Sequence, residues 1–524
     1  MAAKRFIPLF LFMLSLTGFA LNLNPGDPKT ANEKFRNGNY EEALEEYLSL
    51  LEKESKNELY NYRVGICYLN SNINKAKAIP YLERVAKLTK TEFDAWYLLG
   101  RAYQFAYRFD DAVNAFTKFK ETGKGTAANL QDVDRQIQFC FNARELMKFP
   151  VNVEFENLGK NVNSEFRDFF GFVPVDESFL VFNSKRPEGN EEKNPDGTYN
   201  SKIYISKVKD GVFQPARYLG PLVKGKVLFE EVIGLSSTGD IMLIYAENLD
   251  GSGDIYISYA DAQKNFKTAT KLPESVNSRQ GNEIAACISP DGNSIYFASD
   301  RSGGLGGTDL YVVRKLPNGK WGTAMNLGPG VNTPQNEDFP NVSPDGKTLY
   351  FSSSGHTSMG GYDIFKADWD ETAKTFSGAK NMGYPINTPE DNMNFRISES
   401  GRYGYIGSLM EKGFGDYDLY RATFKDVEPE YTVFKGNIFV KNEGKAELNY
   451  SDVLISVTDI TGEIFGNYSP NPNTGRYVVI LPPGEYELSV EAPGFKPVVE
   501  KLKVLDKSSF TREVEKAISL IQAQ

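Results

Sequence analysis

Histidine is almost missing from this chain of 524 residues, and cysteine and tryptophan are scarce. One histidine, His356, and three cysteines, Cys67, Cys140 and Cys287, give no basis for a zinc site. A sparse, odd cysteine set also excludes a disulfide framework. Cys67 and Cys140 are expected as buried free thiols. A basic excess is missing too: 59 Lys and Arg stand against 69 Asp and Glu, a net charge of -10, which argues against nucleic acid as a partner. No phosphate loop or nucleophile elbow occurs. The glycines Gly303, Gly304, Gly306 and Gly307 recur as Gly360 and Gly361, so they read as a turn between strands rather than a nucleotide cradle. His356 sits alone in such a loop and reads as a surface residue rather than a catalytic base. No catalytic residue, cofactor or metal site is expected.

Long apolar runs are absent except at the start. Met1 to Ala20 shows Lys4 and Arg5, an apolar run from Phe6 to Phe19, and small residues at its end, the order of a secretory signal peptide over 1–20. A membrane anchor is the alternative, for which the run is short. No cysteine lies near its end to be acylated, so the mature chain is expected to be soluble and exported.

Residues 28–148 carry a helical repeat. Trp96, Leu99, Gly100 and Tyr103, with Ala112 and Phe116 beyond, match the tetratricopeptide pattern. Earlier copies hold Gly65, Tyr68, Ala78 and Leu82, and before them Phe35, Gly38, Tyr40, Ala43 and Tyr47. Leu130 to Met147 reads as a capping helix. By register, Tyr62, Asn70, Tyr97, Arg101 and Gln104 are expected to face a partner-binding groove; solvated helix faces are the alternative.

Residues 151–427 carry a second repeat, marked by Ser289-Pro290-Asp291-Gly292 and Ser343-Pro344-Asp345-Gly346. Pro presets φ, and Asp and Gly tolerate a reversing backbone, so each copy predicts a hairpin followed by a third strand. Five copies can be laid out, with Asp254, Asp309, Asp363 and Asp418 at recurrent strand starts. Recurrence favours these carboxylates as turn acceptors over Ca²⁺ ligands. Four short strands per unit predict a β-propeller of five blades, with a sixth, degenerate blade left open. The fifth copy lacks its fourth strand, and Val151 to Gly159 is expected to supply it and close the ring. From Tyr431 to Phe510, short alternating strands and the turn Pro482-Pro483-Gly484 predict a small antiparallel sandwich. Residues 511–524 are expected as a short helix or a frayed tail. The fold class is therefore multidomain α + β, with about three domains in the mature chain.

The blades resemble WD-like propeller repeats of the TolB type. The last domain is similar to carboxypeptidase regulatory-like domains, on Gly475, Tyr477, Leu481, Gly484 and Tyr486. The order of the three modules resembles Bacteroidetes periplasmic proteins, among them the peptidoglycan-associated component of type IX secretion. The resemblance departs at the end, where no OmpA-like domain follows Gln524, which leaves direct peptidoglycan anchoring and strict equivalence to that component open. The resemblance implies a non-enzymatic periplasmic scaffold whose partners are envelope or secretion-machinery proteins, peptidoglycan-associated or at the outer membrane. The alternative is a glycan-binding protein or hydrolase using the centre of the propeller; the acids it would need are plentiful, but no pair stands out.

Overall fold

The structure, a computed structural model, describes residues 26–88, 94–249, 251–410, 412–441, 448–506 and 510–523. The expected signal peptide lies outside them.

Seven α-helices open the described chain: α1 (Pro28–Arg36), α2 (Tyr40–Lys53), α3 (Glu58–Asn70), α4 (Ile79–Leu88), α5 (Ala95–Phe105), α6 (Phe109–Glu121) and α7 (Ala127–Leu146). Side-chain caps set several starts: Asp27, Asn39 and Asn57 accept backbone N–H groups of the first turn, and Thr126 forms a reciprocal capping box with Asn129. Consecutive helices pack in pairs, and glycine permits the closest crossings. A Cβ on Gly65 would lie 2.4 Å from Leu82, and one on Gly100 2.5 Å from Phe116. No helix among the described residues is long and apolar enough to cross a membrane.

A ring of five antiparallel sheets follows. The second sheet, Val227–Leu235, Ile241–Asn248, Gly253–Tyr259 and Thr270–Lys271, shows the plan: consecutive strands pair side by side from the innermost outward. Innermost in the first, third, fourth and fifth sheets are Asp168–Phe172, Ala286–Ile288, Glu337–Val342 and Arg396–Ile397. The fifth sheet takes its outer strand from the opposite end of the domain. Val153–Asn157 pairs antiparallel with Asp418–Phe424, from Val153 opposite Phe424 to Asn157 opposite Tyr420. Apolar cores lie between successive sheets. Phe172 shares one with Val232, Ile233 with Ile288, Cys287 with Val342, and Ile364 with Phe395. The last core, joining Leu180 and Phe182 to Tyr405 and Leu419, returns from the fifth sheet to the first. Five sheets sharing five cores close on themselves, which is a β-propeller.

The Ser-Pro-Asp-Gly segments are the hairpin turns. Ser343 Oγ donates to Asp345 Oδ1 at 2.6 Å and accepts the Thr348 N–H at 2.9 Å, while Gly346 takes φ +75°. The Ser343 bond holds the Asp345 carboxyl below its ordinary value. The three cysteines are buried free thiols.

The last domain has two sheets around one apolar cluster that includes Val457, Tyr477, Leu488 and Leu520. Here the structure corrects two expectations. The described residues 511–523 are neither a helix nor a separate tail: Glu513–Glu515 and Ile518–Gln522 are strands. Both pair parallel with Thr432–Val440, so the domain is not purely antiparallel and extends beyond 431–510. The reason is alternation: Ile518 and Leu520 point inward and are fully buried, while Ser519 and Ile521 point away.

Candidate functional site

The five groove residues fall into two groups. Tyr97, Arg101 and Gln104, on successive turns of α5, meet α7. Tyr97 Oη donates to Asp132 at 2.6 Å, Arg101 to Gln136 Oε1, and Gln104 Nε2 to the Gln136 carbonyl at 3.1 Å and to Cys140 Sγ at 3.4 Å. Burial and the bond to Asp132 push the Tyr97 hydroxyl up to about 12. Burial would also raise Asp132, but the bonds from Tyr97 and Arg135 outweigh it and hold that carboxyl below its ordinary value. Tyr62 is buried on α3 and bonds Asp94, just ahead of α5, at 2.8 Å. Asn70 alone is exposed, its amide bonded to the Ile66 carbonyl at 2.8 Å. The register thus picks out the seam along which α3, α5 and α7 meet. Most of its polar atoms are engaged within the array.

A larger surface lies where the helical array meets the propeller. Lys75 pairs with Glu390 and stands 4.8 Å over the Phe105 ring. Arg135 donates to Gln335 at 3.0 Å, and Asn142 to the Ser358 carbonyl at 2.8 Å. Met359, from a propeller loop, is fully buried in the core of the helical array. Beside this joint a cleft of about 520 Å³ is lined by Glu41, Phe166, Arg167, Lys185, Lys193 and Asp416, among others. Phe166 meets Tyr199 edge-on at 5.7 Å, and Arg167 lies 4.6 Å over the Tyr417 ring. Charges of both signs beside aromatic faces suit polar ligands or peptide side chains.

The conspicuous polar residues of the propeller serve its frame. Asp309 accepts the Leu305 and Gly306 N–H groups, Asp363 that of Met359, and Asp418 that of Phe414. Asp254 differs, pairing with Lys271 at 2.6 Å. Burial pushes the Asp363 carboxyl up to about 8. The structure also corrects the reading of His356 as a surface residue. It is half-buried, packed 5.1 Å from the Phe365 ring, with Nε2 2.7 Å from the Val331 carbonyl. Arg186 and Arg301 hold the corresponding carbonyls, Val162 and Val276, in other sheets. The lone histidine is a variant of a repeated brace.

The asparagines of that brace recur visibly in the sequence, each at the close of a fourth strand, but their role was not read from it. Asn163, Asn277, Asn332 and Asn387 are buried, and each clamps both backbone groups of one residue: Leu419, Ile255, Leu310 and Ile364 in turn. The signal was an Asn after a branched apolar residue in four copies: Val162, Val276, Val331 and Ile386 precede them.

No family model matches the chain, and a search of the curated proteins finds no match. Solved structures do match. TolB from Acinetobacter baumannii is 16% identical with a TM-score of 0.30, the match covering 50% of this chain and 56% of that one. A glycoside hydrolase is 7% identical, TM-score 0.38, over 54% of this chain and 95% of its own. The periplasmic gluconolactonase of Pseudomonas aeruginosa is 13% identical, TM-score 0.28, over 64% and 88%. The chain thus spans little more than half the length of TolB. At these values the likeness carries no argument, and the propeller rests on its own strand pairing.

Proposed function

We propose that this protein is a non-enzymatic scaffold of the bacterial periplasm, exported by the signal peptide at 1–20. In this reading the helices are a tetratricopeptide array, the five sheets are the blades of a five-bladed propeller, and the last domain is a regulatory-like sandwich. The partners are envelope proteins at or near the outer membrane, of the type IX secretion or gliding machinery. The observation that carries the reading is how the polar repeat is used. The recurrent Asn, Asp, Arg and His side chains brace the propeller itself, while further side chains dock the helical array onto it through Lys75, Arg135, Asn142 and Met359. Tyr403 and Asp506 join the last domain to the fifth sheet in the same way. Such a body offers three surfaces joined by specific side-chain contacts, which suits a scaffold.

The test is capture of the tagged full chain from its native envelope after mild crosslinking. Outer-membrane secretion or gliding proteins should co-purify, and an excess of the separate helical array should compete with their capture. Recovery of the protein alone, together with hydrolysis or tight binding of members of a glycan library, would replace the scaffold with a carbohydrate-active propeller.

A further inference from the structure

Arg396 is the buried cation for which the brace has no use. It lies on the innermost strand of the fifth sheet, 3% exposed, and its guanidinium finds no hydrogen-bond or ion-pair partner among the described residues. The half-buried arginines of the brace do better: Arg186 meets Asp168 at 2.6 Å and Arg301 meets Glu283 at 2.9 Å. Phe395 and Ile397, on either side of Arg396, face the core between the fourth and fifth sheets. Alternation therefore sends Arg396 the other way. The side chain thus leaves the core between the fourth and fifth sheets, from a strand that borders the centre of the ring.

Other polar atoms are orphaned nearby in the fold. Asn394, two residues before Arg396, and Asn341 of the fourth sheet share one amide bond of 2.9 Å. Yet Asn394 Nδ2 and Asn341 Oδ1 are buried without a partner. Phe170 of the first sheet and Phe339 of the fourth meet across the ring at 4.6 Å, both held at positive φ, and narrow its centre. A buried charge without a counter-charge is costly, and a guanidinium presents five N–H donors. Burial also disfavours the charged form of Arg396, which a bound anion would offset.

We propose that the centre of the propeller binds a small inorganic anion of halide size, held by the Arg396 guanidinium with Asn394 Nδ2 as a further donor. Asn341 Oδ1, an acceptor, suits a water shared with the ion. The 3% exposure of Arg396 and the Phe170–Phe339 contact exclude bulky organic anions.

The full chain is melted at constant ionic strength in sodium chloride, sodium bromide and sodium gluconate. Chloride and bromide should raise Tm by about 2–4 °C per tenfold increase above the dissociation constant, with gluconate inert. Arg396→Gln should abolish the difference. Equal melting in chloride and gluconate, or a halide response that survives in Arg396→Gln, overturns the proposal. If that variant does not fold, crystals of the unaltered protein grown in bromide decide: an anomalous peak beside Arg396 supports the site, and its absence rejects it.

Discussion

Replacing Asn332 by alanine would strip the Leu310 backbone N–H of its partner, leave the Leu310 carbonyl with the Leu327 N–H alone, and take one bond from Asn326 Oδ1. A buried group left unsatisfied costs about 1–3 kcal/mol, so Asn332→Ala should lower propeller stability by roughly 1–3 kcal/mol, read from urea unfolding followed by tryptophan fluorescence. A loss below about 0.5 kcal/mol would mean that the backbone finds other partners. The buried acids add a pH dependence. Burial raises Asp363 to about 8 and Asp338 to about 7, both from an ordinary 3.8. A carboxyl with a raised folded pKa holds more protons in the folded than in the unfolded state between those values. Stability from these two groups is therefore full below about pH 4 and is lost as pH rises through about 7 and 8. Asp363→Asn mimics the protonated form, and its Oδ1 can keep the bonds from Met359 and Asn381. Its stability should fall less steeply between pH 5 and 8 than that of the unaltered protein; identical slopes would remove Asp363 from the account.

Elements were legible where side chains repeat. Pro-Asp-Gly marks hairpin turns because few residues tolerate the reversal, and Gly65 and Gly100 mark helix crossings because a Cβ would strike Leu82 or Phe116. The strand from Val153 to Asn157 could be placed because one copy was a strand short and a spare lay ahead of the first. What the sequence hid are contacts without a local period. The groove register found the seam between α3, α5 and α7, but no spacing rule says that α7 would supply the polar partners. The C-terminal strands were hidden because Ile518–Gln522 pairs with a strand about 80 residues earlier, and five residues alone favour neither helix nor strand. Their alternation makes a prediction. Leu520 is fully buried, so Leu520→Ala should cost about 2–5 kcal/mol. Amide exchange should then quicken in Thr432–Val440 and Arg476–Leu481 and leave the propeller unchanged; exchange unaltered there would return the segment to the status of a tail.

At the scale of the molecule, the question is what holds the helical array to the propeller. The joint combines an apolar anchor, Met359, with the hydrogen bonds of Arg135 and Asn142 and two ion pairs, the exposed Lys193–Glu42 and the more covered Lys75–Glu390. The latter pair is mostly covered, with side-chain exposures of 12% and 25%, and Lys75 also lies over Phe105, so it should be worth more than a surface pair. Lys75→Glu would set two carboxylates face to face and remove the cation from the ring. A penalty of about 1–2 kcal/mol on docking corresponds to roughly a 5–30-fold larger undocked fraction. The segment between Leu146 and Val153 should then be cut by protease faster by that factor, with the radius of gyration from X-ray scattering rising as the fraction grows. Glu390→Lys should do the same alone. The double variant restores opposite charges in exchanged places and should bring cleavage most of the way back. Two single variants that behave like the unaltered chain would assign the joint to Met359, the hydrogen bonds of Arg135 and Asn142, and the Lys193–Glu42 pair. A double variant as loose as the singles would show that the position of each charge, the cation over Phe105 above all, matters more than their attraction.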